Sequence, residues 1–207
     1  MPKFGLTLKD LAAALGGKFI SGNREIGGEN PDFGFFADQQ DLSRALFRWV
    51  EIRKCFKKRP FAATLERFVN ACEARILLTS AFHAPYLEKM TRLAENAGFP
   101  GAIVVNRGME GTLAFPLTRP VEILCSAKQK DGSCLRKHFE LDPVALMQWE
   151  APREVILKEP GVSENARLVQ AFQKTGSSGD DAFDKRVHLT RRGLDVALKW
   201  VEEHILD

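Results

Sequence analysis

No apolar run in this 207-residue chain approaches the roughly 20 residues that a membrane-spanning helix needs. The first ten residues, MPKFGLTLKD, lack the charged-then-apolar layout of a signal peptide. No internal repeat and no low-complexity run interrupts the ordinary composition. Together these absences predict a globular, cytoplasmic protein that has no membrane partner.

The sequence also lacks any CxxC pair, because its cysteines are the widely spaced Cys55, Cys72, Cys125 and Cys134. This spacing favours free thiols over a metal site or a disulfide framework. Cys125 and Cys134 flank a predicted hairpin and could approach each other, which is the one alternative that the spacing leaves open.

The net charge is small, but the charged residues are unevenly distributed along the sequence. The net charge is +3, yet one stretch of the first half concentrates cations against only Glu51 and Glu66. The basic residues of this stretch are Arg44, Arg48, Arg53, Lys54, Lys57, Lys58, Arg59 and Arg67. Such a block attracts phosphates even in a protein of modest net charge, so DNA or RNA is a candidate partner. The alternative is a solvated helix end, since cations favour a helix C-terminus in any case.

Two short apolar runs, at residues 76–79 and 102–105, flank one amphipathic helical pattern between Ala84 and Asn96. This layout predicts a βαβ unit with parallel strands, within an α/β fold that has a partly parallel sheet, flanking helices and a β-hairpin. Ligands in such folds lie beyond the carboxyl ends of the strands. The first places to look for chemistry are therefore residues 80–83 and 106–111.

Other patterns predict the remaining elements. Thr7 is expected to cap a helix over 8–15, Ser163 a helix over 164–174 and Thr190 a terminal helix over 191–205. Residues 18–35 are expected to form a loop. Further helices are predicted over 38–56 and 61–71, and strands over 121–125, 136–141 and 153–157. Trp49 and Trp200 lie on the apolar faces of their helices and are expected in the core. We expect three parts within one compact unit: an amino-terminal helix and loop over 1–36, the basic helical segment 37–71 and the α/β part 72–207.

Several stretches, in order, resemble the anthranilate phosphoribosyltransferase family within the family 3 glycosyltransferases. FHAPYLEKM (Phe82–Met90) is similar to the family's H-P-x-Y-L-E-K-M helix start, and GAIVVNRGMEG (Gly101–Gly111) to its A-L-V-V-H-G-x-D-G strand and loop. IRKCFKKRPFAATLERFVNA (Ile52–Ala71) is similar to R-K-x-L-G-x-R-T-x-F-N-x-L-G-P-L-x-N-P. FGFFADQ (Phe33–Gln39) and GVSENARL (Gly161–Leu168) add weaker matches.

The resemblance implies the α/β domain of that fold, and it covers the carboxy-terminal half only. The family's Gly-rich diphosphate loop and its K-H-G-N segment have no match in residues 1–32, so a separate amino-terminal subunit is an expected partner, as is a second copy in a homodimer. The resemblance implies substrate-binding roles for Arg53, Arg59, His83 and Asn106. The structural alternatives are a solvated helix position for Arg53 and a helix-start position for His83.

The departures from the family pattern bear on its chemistry. Thr112 and Leu113 stand where the family has the Asp-Glu pair that binds magnesium, and Asn106 stands where it has histidine. We therefore expect no cofactor, with magnesium only for an active phosphoribosyltransferase, and no protein metal site. Catalytic residues cannot be assigned from the sequence. The leading hypothesis is a phosphoribosyltransferase-like protein that is inactive alone. The alternative is a nucleic-acid- or phospholigand-binding protein that uses Arg44, Arg48, Lys54, Lys57, Lys58 and Arg67.

Overall fold

A computed structural model describes residues 7–27, 31–55, 62–70, 72–109, 112–148 and 161–206. The contacts divide the chain into two compact units. The first comprises Met1–Glu73 and Leu157–Asp180, and the second comprises Ala74–Ile156 and Asp181–Asp207. The sequence-based division left residues 157–180 in its last part, whereas the contacts assign them to the first unit.

The secondary structure follows the chain in this order. Its first part contains α1 (Leu8–Ala14), β1 (Lys18–Ile20), a 3₁₀ turn (Asn23–Glu25), β2 (Phe35–Ala37), α2 (Gln39–Leu42), α3 (Arg44–Lys54), α4 (Ala62–Leu65) and a second 3₁₀ turn (Glu66–Phe68). Its second part contains β3 (Ile76–Ala81), α5 (Tyr86–Asn96), β4 (Gly101–Asn106), β5 (Val121–Lys128), β6 (Cys134–Leu141), α6 (Pro143–Met147), α7 (Val162–Thr175) and α8 (Asp181–His204).

The α/β prediction is confirmed by the sheet of the second unit. Its strands lie in the order β3-β4-β5-β6, with β3 and β4 parallel and the other two pairings antiparallel. The parallel register runs from Ile76 opposite Gly101 to Ala81 opposite Asn106. Both strands therefore end at the same edge of the sheet, and α5 is the crossover between them.

The two long helices of the second unit cover opposite faces of this sheet. Successive β5 residues point to opposite faces. The Cys125 thiol lies 4.0 Å from the Ala197 carbonyl of α8, whereas the next hydroxyl, that of Ser126, donates to Glu95 of α5 at 2.5 Å. The core against α8 consists of buried apolar side chains: Ile103, Val105, Phe115, Leu117, Val121, Ile123, Cys125, Leu189, Ala197 and Val201.

The predicted hairpin is confirmed, with an Asp131-Gly132 turn between β5 and β6. Gly132 has φ 84°, a left-handed conformation that glycine adopts without a Cβ clash. The Ser133 backbone N–H donates to the Asp131 carboxylate at 2.9 Å. The pairing places Cys134 opposite Lys128 and Cys125 opposite Lys137, and both cysteines are free thiols. The alternative of a Cys125–Cys134 pair therefore fails.

Helix capping is predicted correctly at one end and wrongly at two. Thr7 forms a capping box with Asp10, as expected. Gly161, rather than Ser163, is the N-cap of α7. The terminal helix begins at Asp181, so Thr190 lies inside α8. The Thr190 hydroxyl instead accepts the Phe115 backbone N–H at 2.9 Å, a long-range bond that local capping rules do not reveal.

Three other predictions are corrected or lie outside the described residues. The helix expected over 38–56 is divided at Ser43 into α2 and α3, because the Ser43 hydroxyl and carbonyl accept the N–H groups of Leu46 and Phe47 and start a new helix. The loop expected over 18–35 contains the short strand β1, which pairs in parallel with β2. The strand expected over 153–157 lies outside the described residues. None of the described helices is long and apolar enough to cross a membrane.

A carboxylate network fixes α5 to the hairpin. Arg136 of β6 donates to both Glu95 oxygens, at 2.8 and 2.6 Å, and the Glu95 side chain is 12% exposed. Burial is the largest influence on the pKa of Glu95 and raises it. The hydrogen bonds from Arg136 and Ser126, with the positive charges of Arg136 and Arg92, outweigh burial and hold this pKa below its ordinary value of 4.5.

The first prediction concerns this network. Because the folded pKa of Glu95 is lowered, its stabilising contribution is present above about pH 4.5 and is lost as the pH falls through the folded pKa. Glu95→Gln should lower the free energy of unfolding by about 1–2 kcal/mol at pH 7. Urea titrations between pH 7 and pH 3 should show this difference shrinking with acidity.

The control is Glu164→Gln, since Glu164 also accepts two bonds from an arginine, Arg167, but on an exposed helix surface. That change should move the urea midpoint little at any pH, because solvent screens the exposed pair. A Glu95→Gln loss that does not depend on pH would contradict the assignment of the pH dependence to this carboxylate.

Candidate functional site

The carboxyl ends of β3 and β4 bring together two of the predicted site residues. Phe82 and His83 directly follow β3, while Asn106 is the last residue of β4 and Arg107 follows it. Because the two strands are parallel and in register, these residues meet at one edge of the sheet. We call this edge the strand-end site.

Asn106 is fully buried at the strand-end site. Its Nδ2 donates to the Ala81 carbonyl at 2.8 Å, so the side-chain amide ties the end of β4 to the end of β3. Because the Ala81 carbonyl can only accept a hydrogen bond, the Asn106 amide atom that faces it is the nitrogen. Its Oδ1 is buried and has no hydrogen-bond partner among the described residues. A buried acceptor without a partner is rare and calls for a donor from water or a ligand.

An exposed aromatic cluster stands at the same edge. We define the strand-end aromatic cluster as Phe82, His83, Tyr86 and Lys89. The Phe82 and His83 rings meet edge to face with centroids 4.7 Å apart, and the His83 and Tyr86 centroids are 6.3 Å apart. The Lys89 Nζ lies 5.4 Å from the centre of the Tyr86 ring. Phe82 is 62% and Tyr86 50% exposed.

The helix-start role of His83 is visible in the backbone. The His83 carbonyl accepts the N–H of Tyr86, the first residue of α5, at 2.9 Å. The His83 side chain is exposed and contacts the rings on either side of it. His83 can therefore both start α5 and bind a ligand, because its backbone carbonyl and its ring have different partners.

The loop after β4 is tightly built. Arg107 has a left-handed φ of 62° and pairs with Glu122 at 3.3 Å. A Cβ on Gly108 would lie 2.1 Å from the Thr112 carbonyl oxygen, so only glycine allows the backbone to approach this closely. The Met109 N–H donates to the Ala114 carbonyl at 2.8 Å. This loop is held by its own backbone bonds.

The residues at the positions of the family's metal ligands do not fit magnesium. The Thr112 hydroxyl donates to the Met109 carbonyl at 2.7 Å and accepts the Ala114 N–H, so the loop itself uses it. Leu113 packs against the apolar core. Magnesium takes carboxylate oxygens and water as ligands, and these two side chains offer neither. Across the described ranges, no group of three or more His, Cys, Asp or Glu could hold a metal ion.

The basic residues predicted to bind phosphate lie in the first unit. Arg44 and Arg48 are exposed, one turn apart on α3. Arg53 and Lys54 are the last two residues of that helix. The other predicted residues Lys57, Lys58 and Arg59 lie outside the described residues.

Trp49 corrects an expectation of burial. It is 43% exposed, as is Ile52 one turn later on the same helix face. The apolar pattern of α3 indicated a core stripe, but Leu46 and Val50 are only half-buried and no described α3 side chain is fully buried. Trp200 is half-buried and stacks on His204, with ring centroids 4.6 Å apart.

Arg67 lies elsewhere in the first unit. With Glu66 it lines a cavity of about 250 Å³ whose apolar lining includes Leu42, Leu46 and Val69. Leu42 belongs to α2 and Leu46 to α3, so Arg67 lies beside both helices.

Sequence reasoning missed the strand-end aromatic cluster as a unit. Its signal was present, because FHAPY and Lys89 follow the first strand of the βαβ unit. Aromatic residues next to an apolar run usually lie in the core. The exposure of Tyr86 is therefore recognisable only from its position on α5 in the structure.

Comparisons with known proteins assign neither a family nor a function to this chain. Profiles of known protein families do not match this chain. An uncharacterized protein of Aquifex aeolicus is 29% identical over 85 residues, which cover 41% of this chain and 27% of that protein. The alignment thus spans about a quarter of that relative's length, and the resemblance to the phosphoribosyltransferase family stays a prediction.

The second prediction concerns Asn106. Asn106→Ala should lower the free energy of unfolding by about 1–2 kcal/mol, because the Ala81 carbonyl loses its buried donor. Hydrogen exchange should accelerate at residues 80–83, where β3 ends. Asn96→Ala, which alters an exposed amide at the end of α5, is the control and should change neither quantity. Unchanged exchange in Asn106→Ala would show that the side chain does not tie the strand ends together.

Proposed function

We propose that this chain is an anthranilate phosphoribosyltransferase-like α/β protein that does not transfer phosphoribosyl groups by itself. The order of the family-like stretches supports the relationship, as does the parallel β3-α5-β4 unit with its strand-end site. The observation that carries the loss of activity is the loop after β4, where Thr112 bonds within the loop and Leu113 joins the core. A cytoplasmic location is part of the proposal.

The chemistry explains why this loop matters. Phosphoribosyl transfer needs donors on the diphosphate, a cation that neutralises it and a pocket that aligns the acceptor. Thr112 and Leu113 cannot supply the ligands of a hard cation. Arg53 and Arg59 are the residues proposed to hold an acceptor carboxylate, because a guanidinium binds carboxylates through two parallel bonds. An acceptor site of this kind could bind a ligand without promoting transfer.

The third prediction tests this proposal. Phosphoribosyl pyrophosphate with magnesium should leave the melting temperature unchanged, because stabilisation requires binding to the folded state. Anthranilate added to that mixture should release no pyrophosphate. A rise of about 2 °C or more, or pyrophosphate release above a no-enzyme blank, would overturn the proposal. The same measurements with anthranilate alone report whether the acceptor site binds.

The second candidate function is binding of single-stranded nucleic acid by α3. The observation that favours it is the exposure of Trp49 beside the exposed Arg48, with Arg44 one turn away. Proteins that bind single strands combine cations for the phosphates with aromatic rings on which bases stack. The sequence supplied the cations, and the exposure of Trp49 supplies the ring.

The fourth prediction tests the α3 surface with a 20-nucleotide oligothymidylate. Arg44→Ala combined with Arg48→Ala should reduce the slope of log K against log salt by about 1.4, or about 0.7 for each lost phosphate contact. Trp49→Ala should weaken binding about tenfold and remove most of the tryptophan fluorescence quenching. Arg192→Ala, at an exposed position of α8, is the matched control. Binding that ignores salt would rule out this function.

A further inference from the structure

The strand-end aromatic cluster is built to present rings to solvent. The buried residues of α5 are Leu87, Met90, Thr91 and Ala94. Tyr86 and Lys89 lie one turn apart, and both are exposed. Phe82 is the most exposed aromatic side chain among the described residues of the second unit. Large exposed rings cost solvation free energy, so two together at a strand end indicate a surface that is covered by a ligand.

The rings are also held in a defined geometry. His83 stands edge-on to Phe82, at an interplanar angle of 85°, and lies between Phe82 and Tyr86. Because Phe82 is 62% and Tyr86 50% exposed, a planar ligand can reach ring surface in the cluster from solvent. A geometry that is already in place lowers the entropic cost of binding.

One cationic side chain of the strand-end aromatic cluster is available to bind an anion. Arg92 pairs with Glu88 at 2.6 Å and Arg107 pairs with Glu122 at 3.3 Å. Lys89 has no ion pair among the described residues and lies over the Tyr86 ring. An ammonium group in that position can bind a phosphate oxygen while it keeps its contact with the ring.

An unsatisfied acceptor lies at the same strand end. Asn106 is fully buried, donates to the carbonyl of Ala81, the residue before Phe82, and leaves Oδ1 without a partner among the described residues. Because this oxygen is buried, an enclosed water is the donor that could complete its hydrogen bonding, and a ligand on the exposed rings does not contact it. The exposed surface itself offers two aromatic rings and one cation.

We propose that the strand-end aromatic cluster binds an unpaired nucleobase that carries a phosphate. The base stacks on Phe82 or Tyr86, and the phosphate contacts Lys89. Nucleobases combine a flat face, polar edge groups and a nearby phosphate, and proteins recognise them by stacking together with edge hydrogen bonds. An aliphatic phosphate could contact Lys89 but would not use the ring faces. The cluster belongs to the second unit, whereas α3 belongs to the first.

The test uses the single tyrosine of the chain, Tyr86. Protein that contains 3-fluorotyrosine gives one ¹⁹F resonance, which reports directly on the cluster. Titration with adenosine monophosphate should shift this resonance saturably, with a dissociation constant on the order of 0.1–1 mM for an open stacking site. Ribose 5-phosphate, which lacks the base, should produce no comparable shift.

Two variants separate stacking from charge. Phe82→Ala should weaken adenosine monophosphate binding about fivefold or more, by loss of a stacking face. Lys89→Gln should weaken adenosine monophosphate toward the affinity of adenosine and leave adenosine itself unchanged. Both side chains are exposed, so both variants should fold, and their thermal melts verify this. Lys18→Gln is the matched control, because Lys18 lies 5.0 Å from the Phe35 ring in the first unit.

The outcomes decide the proposal and the source of the base. A ten-nucleotide oligoadenylate that binds more tightly per nucleotide than adenosine monophosphate supports a single strand as the ligand. Equal affinity per nucleotide supports a free nucleotide. No saturable shift with either ligand overturns the proposal. An equal response to ribose 5-phosphate, or an unchanged affinity in Phe82→Ala, also overturns it.

Discussion

The parallel pairing of β3 with β4 is the constraint on which the second unit depends. Six residues of each strand pair in register, so both strands end together and their following loops share one edge. The buried Asn106 side chain closes that edge by donating to Ala81. A register shift of one residue would turn every side chain of β4 to the other face. The same shift would remove Ile103 and Val105 from the core against α8 and turn them to the face that α5 covers.

The two helices that cover this sheet contact it through different interactions. α8 contributes apolar packing so close that a Cβ on Gly193 would lie 2.3 Å from the Phe115 ring, which leaves glycine as the residue that fits. α5 adds a partly buried carboxylate, Glu95, bonded to Arg136 and Ser126. The packing is insensitive to pH, whereas the carboxylate network weakens in acid because its pKa is lowered in the fold. The bond between α5 and β6 is therefore the part of this attachment that weakens in acid.

Much of this fold is predictable from the sequence because its signals are local. Alternating apolar runs, an Asp131-Gly132 turn and the Thr7 capping box each act within a few residues. The errors have non-local causes. Thr190 has the side chain of a cap but bonds to Phe115, 75 residues away, and Trp49 lies on an apolar stripe whose helix face no described residue covers fully. The Asn106 contact was equally hidden, because composition does not indicate which carbonyl a buried amide will meet.

The loop after β4 bears on whether the strand ends can support group transfer. The Thr112 hydroxyl bonds with Met109 and Ala114 inside this loop, so it is already used and is a poor ligand for a cation. Without a cation, a diphosphate leaving group has no compensation for its developing charge, and the transition state loses more than the bound state does. Stacking and a single ammonium contact need no such compensation. The chemistry that we propose for Phe82, Tyr86 and Lys89 is therefore binding rather than group transfer.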